Sequence, residues 1–294
     1  MRTGGRKRFG TTVLAALAVA AFAVAGCGGS SGSDDSKDAS AQKPGCTAKV
    51  ETVQSGYLSV ASYPYPPYAD AEGDKLTGAE GEILTKIADK LCLKIRVVRG
   101  TAASMIPDIQ TGRADTTLGD WYRTAERAKV VRLGAPEFKD INAIVSKSGI
   151  KNYQDLKGKT VGSVLGFLWV SDLQKLVGSS NVKLYQTEQA VYADLAAGRI
   201  DALVDTLAAA KQQLKQTAVA GATVEIPPND PSAGSSLLPG QGQFPVNLKN
   251  EELGKAMDKA LEELRQSGDV RKALVKNGFP AGAAEPGPPT LLGG

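Results

Sequence analysis

Arg127 lies in the run GDWYRTAERAK (119–129), three residues after Thr124, a candidate helix cap. The first turn of a helix already carries positive partial charge, so a cation there is unfavourable by roughly a few tenths of a kcal/mol. An anion arriving at that turn would reverse the sign, and a planar guanidinium fork suits a carboxylate. The competing reading is a surface ion pair with Glu126 or Asp108. Beside Arg127 stand an acid and two aromatics, Asp120, Trp121 and Tyr122. Asp120 reads either as a partner for a ligand cation or as a cap for local turn amides.

The aromatics cluster. Of sixteen Phe, Trp and Tyr residues, seven fall in three short stretches: Tyr63, Tyr65, Tyr68, Trp121, Tyr122, Phe167 and Trp169. Core rings belong more often inside strands and helices, so the clustering points to a ligand pocket. The chain contains no histidine. That excludes a Ser-His-Asp or Cys-His nucleophile and argues against zinc. No phosphate-binding glycine loop is present, and no cofactor or metal is expected.

The elements that must position these residues alternate between strand-like and helix-like runs, which predicts an α/β fold with mainly parallel sheets. The strand-like runs LSVA, RADTTL, KTVGSV and IDALV lead into SYPYPPY, GDWYR, LGFLWV and Asp205. Ligands of open parallel sheets gather beyond such carboxyl ends. Helices are predicted at AEGEILTKIADKL, near SMIPDIQTG, from Thr124, at EQAVYADLAAGR and at NEELGKAMDKALEELRQSG. The last carries an apolar stripe of Leu253, Met257, Ala260, Leu261 and Leu264. Residues 281–294, rich in Gly and Pro, read as a disordered tail.

The N-terminus has a basic start, an apolar run and then Cys27, the pattern of a secretory signal over residues 1–26. Val24–Cys27, VAGC, resembles a lipobox, which makes Cys27 the expected lipidation residue; an ordinary N-terminal membrane anchor is the alternative. Residues 27–45 form a polar tether. Residues 1–26 hold four basic residues and no acid, so without them Lys plus Arg and Asp plus Glu stand at 31 each. That balance does not suggest a nucleic-acid partner. Cys46 lies upstream of YLSVAS and Cys92 just upstream of KIRVVRG. If those strands are parallel neighbours, both cysteines sit at one end of the sheet. A bridge there would stabilise by roughly 4 kcal/mol; two free buried thiols are the alternative.

The order GYLSVASYPYPPY, GAEGEILTKIADKL, MIPDIQTGRADTTLGDWYRTAERAK, DLKGKTVGSVLG and DLAAGRIDALVD resembles the amino-acid-binding branch of the solute-binding proteins of ABC importers, over residues from about 50 to 280. The resemblance implies a type 2 periplasmic binding protein-like fold: two Rossmann-like α/β lobes joined by two hinge strands. It places lobe 1 at 46–141 plus 242–280 and lobe 2 at 142–241. The crossings fall near Lys139–Ala143 and Ser235–Gln243. It implies a monomeric protein outside the cytoplasm, lipid-anchored to the cell membrane. The protein would close on a small amino-acid-like ligand and deliver it to an ABC permease, with no chemistry of its own. A ligand-presenting sensor, or a periplasmic cyclohexadienyl dehydratase-like enzyme on the same fold, are the alternatives.

The resemblance also assigns roles. Arg127 would pair with the ligand's α-carboxylate, Tyr65 and then Tyr68 would stack on its side chain, and Asp205 would hold its ammonium. Departures from the family pattern qualify these roles. Asp205 follows Asp201 by four residues where the family has five, and one residue of slip on a strand reverses the face. The strand therefore bulges or Asp205 points elsewhere. Tyr122, Phe167 and Leu168 stand where the family often has small hydroxyl residues, Asp120 where it has Gly, and an aromatic near Ala102 is missing. Hydroxyls exchanged for rings predict a ligand with a larger, flatter or more cationic remainder, held by Trp121, Tyr122, Phe167 or Trp169. Glu80 and Glu82 are expected to complement the first helix dipole and shape the entrance.

Overall fold

The computed structural model describes residues 50–292. The expected signal peptide, Cys27, the tether and Cys46 lie outside the described residues. All described residues belong to one compact unit, Ser40–Gly294.

The apolar run Leu58–Ala61 forms the centre of the first sheet. Strand β1 (Tyr57–Ser62) is followed by a short hairpin, β2 (Asp70–Glu72) with β3 (Lys75–Thr77), and by helix α1 (Gly78–Lys90). Next come β4 (Lys94–Arg99), α2 (Met105–Gln110), β5 (Thr116–Thr117) and the short α3 (Ala125–Ala128). The sheet order is β4-β1-β5, all parallel, with Tyr57 opposite Lys94 and Val60 opposite Thr116. Asp115 fixes the approach to β5: its carboxylate accepts from the amides of Val53 at 2.8 Å and Ser59 at 2.7 Å.

Strand β6 (Phe138–Asp140) then leads into the second sheet. Its elements are β7 (Asn142–Ser146), β8 (Val161–Val164), α4 (Val170–Val177), β9 (Val182–Tyr185), α5 (Glu188–Ala196), β10 (Ala202–Thr206), α6 (Leu207–Gln216) and β11 (Thr223–Glu225). The order is β11-β7-β10-β8-β9, with β7 antiparallel to both its neighbours and the rest parallel. The return strand β12 (Gly240–Gly242) pairs antiparallel with β6, Gly240 opposite Asp140. These two strands join the lobes. Gly240 has no side chain because the Tyr122 ring fills the space a Cβ would occupy.

The chain closes with α7 (Glu251–Gln266) and α8 (Asp269–Lys276), which pack on α1. All five residues of the expected α7 stripe are buried. The tail differs from expectation. Residues 281–284 form a turn of 3-10 helix, and Ala283, Ala284 and Leu292 are buried. Gln241 holds the segment: its amide donates to the carbonyls of Pro286 at 2.9 Å and Pro288 at 2.8 Å, and its oxygen accepts from Thr290 N at 2.8 Å. The Leu292 carbonyl then accepts the first amide of α3, Ala125 N, at 3.0 Å. The composition favoured disorder, but one buried side chain satisfies three backbone groups of the tail and ties it to the hinge.

Candidate functional site

Thr124 caps α3 as its sequence position predicts, its hydroxyl accepting from Arg127 N at 3.1 Å. This sets the Arg127 side chain back over the preceding loop. The guanidinium donates to the Tyr122 carbonyl at 2.7 Å and lies 4.5 Å from the centre of the Trp121 ring. The Trp121 indole is fixed by its own bond to the Leu118 carbonyl at 3.0 Å. Neither Glu126 nor Asp108 takes Arg127; they pair with Lys129 and Arg113. Burial lowers the Arg127 pKa to about 10, which leaves it cationic at neutral pH.

Arg127, Asp120 and Trp121 line a cavity with Tyr63 and Tyr65 from the loop after β1. Phe167 and Trp169, from the loop between β8 and α4, close it. Six of the expected site residues therefore meet across the inter-lobe cleft: Tyr65, Asp120, Trp121, Arg127, Phe167 and Trp169. Phe167 tilts on Tyr65 at 5.2 Å and meets Trp169 edge-on at 5.1 Å, while the Trp169 indole donates to Ser163 at 3.1 Å. Gly166 lets the lobes approach closely: at φ +96° a Cβ there would fall 2.9 Å from the backbone of Ala103. The cavity holds about 20 Å³, space for about one water, so the rings must part to admit an amino acid.

Three expected residues lie behind the cavity wall. Tyr68 is fully buried, stacked on Tyr65 at 4.8 Å and in edge contact with Phe279 at 5.0 Å. Its hydroxyl donates to Asp140 and meets the Thr206 hydroxyl at 2.6 Å. Tyr68 thus braces Tyr65 from behind. Tyr65 is also buried, so neither ring faces water. Tyr122 turns towards the hinge and packs against Gly240. Asp205 sits at the end of β10, which pairs one-to-one with β7 and has no bulge. Two residues from Leu203, its side chain shares that residue's face. There it accepts from Tyr192 of α5 at 2.9 Å and from Tyr65 of the opposite lobe at 3.1 Å. The one-residue spacing change therefore leaves Asp205 directed at the lobe interface, covered by the Tyr65 hydroxyl.

Acids are concentrated around the site. Glu80 is buried and accepts from the amides of Gly119 at 2.5 Å and Asp120 at 2.8 Å. Its role is to hold the turn that carries Asp120, which itself has a φ of +55°. The expected entrance role fits Glu82 no better, since that residue pairs with Lys276 at 2.9 Å. Burial raises the Asp120 pKa well above the carboxylate range, and nearby Asp140 and Glu80 raise it further. Burial likewise raises Glu137, with Glu80 adding to the shift. Tyr63, one of the clustered rings, lines the cavity although the resemblance assigns it no role. Its signal was present: it precedes Tyr65 by two in an extended run, which puts both rings on one side. The rings stack at 5.8 Å.

Two α/β lobes on a two-strand hinge, with a ring-lined cleft and a guanidinium in its wall, define a protein that captures a small solute between its lobes. The chain belongs to the bacterial extracellular solute-binding proteins, family 3, whose family model matches residues 58–278. It is 30% identical over 217 residues to the probable amino-acid-binding protein YxeM of Bacillus subtilis (strain 168), covering 71% of this chain and 79% of that one. It is 31% identical over 224 residues to the L-cystine-binding protein TcyJ of Escherichia coli (strain K12), covering 74% and 80%. Among solved structures, an ancestral arginine-binding protein bound to arginine superposes with a TM-score of 0.66 at 30% identity, covering 75% of this chain and 97% of that one. These relatives are binding proteins, and this chain is a solute-binding protein rather than an enzyme. Among the described residues no helix is long and apolar enough to cross a membrane.

Proposed function

We propose that this protein is the extracytoplasmic capture component of an ABC importer for an amino acid or related small carboxylate with an aromatic or cationic remainder. Arg127 takes the carboxylate, and Tyr65, Trp121, Phe167 and Trp169 hold the remainder by stacking or cation–π contact, at roughly 0.5–2 kcal/mol each. Asp120 or Asp205 meets the ammonium, Asp205 after Tyr65 gives way. The observation that carries this reading is a cationic guanidinium seated on Trp121 in a cleft closed by rings from both lobes.

Lobe 1 is assigned to 46–141 plus 242–280 and lobe 2 to 142–241. The protein acts as a monomer, secreted by residues 1–26, anchored through lipid on Cys27 and tethered by 27–45. A Cys46–Cys92 bridge clamps the start of lobe 1. Two observations support it: Cys92 is engaged in a disulfide, and it lies just before β4, the parallel partner of β1.

Mass spectrometry of small molecules released on unfolding, followed by titration calorimetry with the free amino acids and their derivatives, tests the function. A released amino acid or carboxylate that rebinds tighter than about 10 μM is expected. Failure of every amino acid and small carboxylate to bind, or tight binding only of small neutral residues such as glycine, would contradict it.

A further inference from the structure

A second, larger cavity opens beside the first, and Tyr63 stands in the wall of both. It holds about 440 Å³, enough for an extended side chain. One wall is the lobe 1 loop after β1, with Asp70 at its rim. The other is built by the start of α5 and one face of α6, which contribute Glu188 and Gln213.

The wall is acidic in composition. Its charged residues are Asp70 and Glu188, and among the described residues no lysine or arginine lines it. It is also short of donors. Glu188 is 5% exposed and Gln213 2%. The Gln213 amide nitrogen donates to Glu188 Oε2 at 3.1 Å. That leaves Gln213 Oε1 buried without a hydrogen-bond partner. With Glu188 ionised, flipping the Gln213 amide would not help, because its oxygen would then face the Glu188 oxygen, acceptor against acceptor. Burial raises the Glu188 pKa well above its ordinary value, and Asp205, hydrogen-bonded to it, raises it further, so the two acids disfavour one another's charge. Buried acceptors are normally paired, and an unpaired one beside two crowded acids calls for a donor from elsewhere.

We propose that this cavity receives the distal ammonium or guanidinium of the ligand, with Glu188 as its counter-ion and the Gln213 oxygen as a second acceptor. The inference rests on the reading above, in which Arg127 holds the carboxylate end. The apolar stem of such a ligand passes the Tyr63 ring, which borders both cavities. Thr187 caps α5, its hydroxyl accepting from Ala190 N at 3.3 Å. Glu188 stands in that first turn, where the helix dipole favours its ionised form once a cation pairs with it.

The test is titration calorimetry with two pairs of near-isosteric ligands, arginine with citrulline and lysine with norleucine. In the wild-type protein each cation is expected to bind at least about tenfold tighter than its neutral counterpart. Glu188→Gln, which keeps the shape and removes the charge, is expected to bring both ratios close to one. Gln213→Leu, which removes one acceptor, is expected to reduce them partway; it also serves if Glu188→Gln fails to fold. Equal binding of cations and neutral counterparts by the wild type would overturn the cation site and leave the amino-acid reading intact. Preference retained in both variants would overturn it likewise. Failure of all four ligands to bind would overturn both.

Discussion

The Tyr65 hydroxyl donates to Asp205 Oδ1 at 3.1 Å, joining the loop after β1 to the end of strand β10 in the opposite lobe. The group expected to receive the ligand ammonium is thus already in a hydrogen bond with the ring expected to stack on the ligand. A hydrogen bond to a charged group contributes about 1.5–3 kcal/mol, and this one spans the two lobes.

Tyr65→Phe removes that bond and keeps the ring. The ligand-free variant is expected to spend more time with its lobes apart, and small-angle scattering would then give a larger radius of gyration than for the wild type. Identical scattering curves would show that the bond does not govern closure.

Asp140 supplies a pH signature. Burial pushes its pKa up from 3.8 to about 6, against the pull of the Tyr68 hydroxyl and the Ile141 amide. Its folded environment favours the neutral form, so its contribution to stability is complete below about pH 4 and is lost as pH rises through 6. Asp140→Asn mimics the neutral form. Its melting temperature is expected to fall less than that of the wild type between pH 4 and pH 7. Parallel curves for the two proteins would refute the assignment.

Gln241 ties the C-terminal segment to hinge strand β12 through three hydrogen bonds. Gln241→Ala is expected to cost about 1–3 kcal/mol and to open residues 285–292 to limited proteolysis. A variant as resistant as the wild type would mean that burial of Leu292 and the Ala283–Ala284 pair suffices.

Periodicity and turn chemistry made much of the frame legible. The α7 stripe and the Thr124 cap stand where the sequence puts them, because each depends on local chain geometry. Rings crowded at strand ends point to a pocket, and Tyr65, Trp121, Phe167 and Trp169 do line one cavity. What escaped depends on distant partners. Gln241 reads as an ordinary polar residue until the tail folds over it. Tyr68 resembles Tyr65 in the sequence, but its neighbours Phe138 and Phe279 come from other parts of the chain. Glu80 looked like a first-turn acid, and its partners, the Gly119 and Asp120 amides, lie about forty residues away.

The proposed capture turns on the Arg127 guanidinium of α3, which recognises the carboxylate of a solute held between two lobes. Calorimetric titration of wild type and Arg127→Ala with the same ligand, alongside their melting curves, tests it most directly. The expected result is a loss of at least about a hundredfold in affinity, roughly 2.7 kcal/mol, with little change in melting temperature. An Arg127→Ala protein that binds as tightly as the wild type would contradict the account.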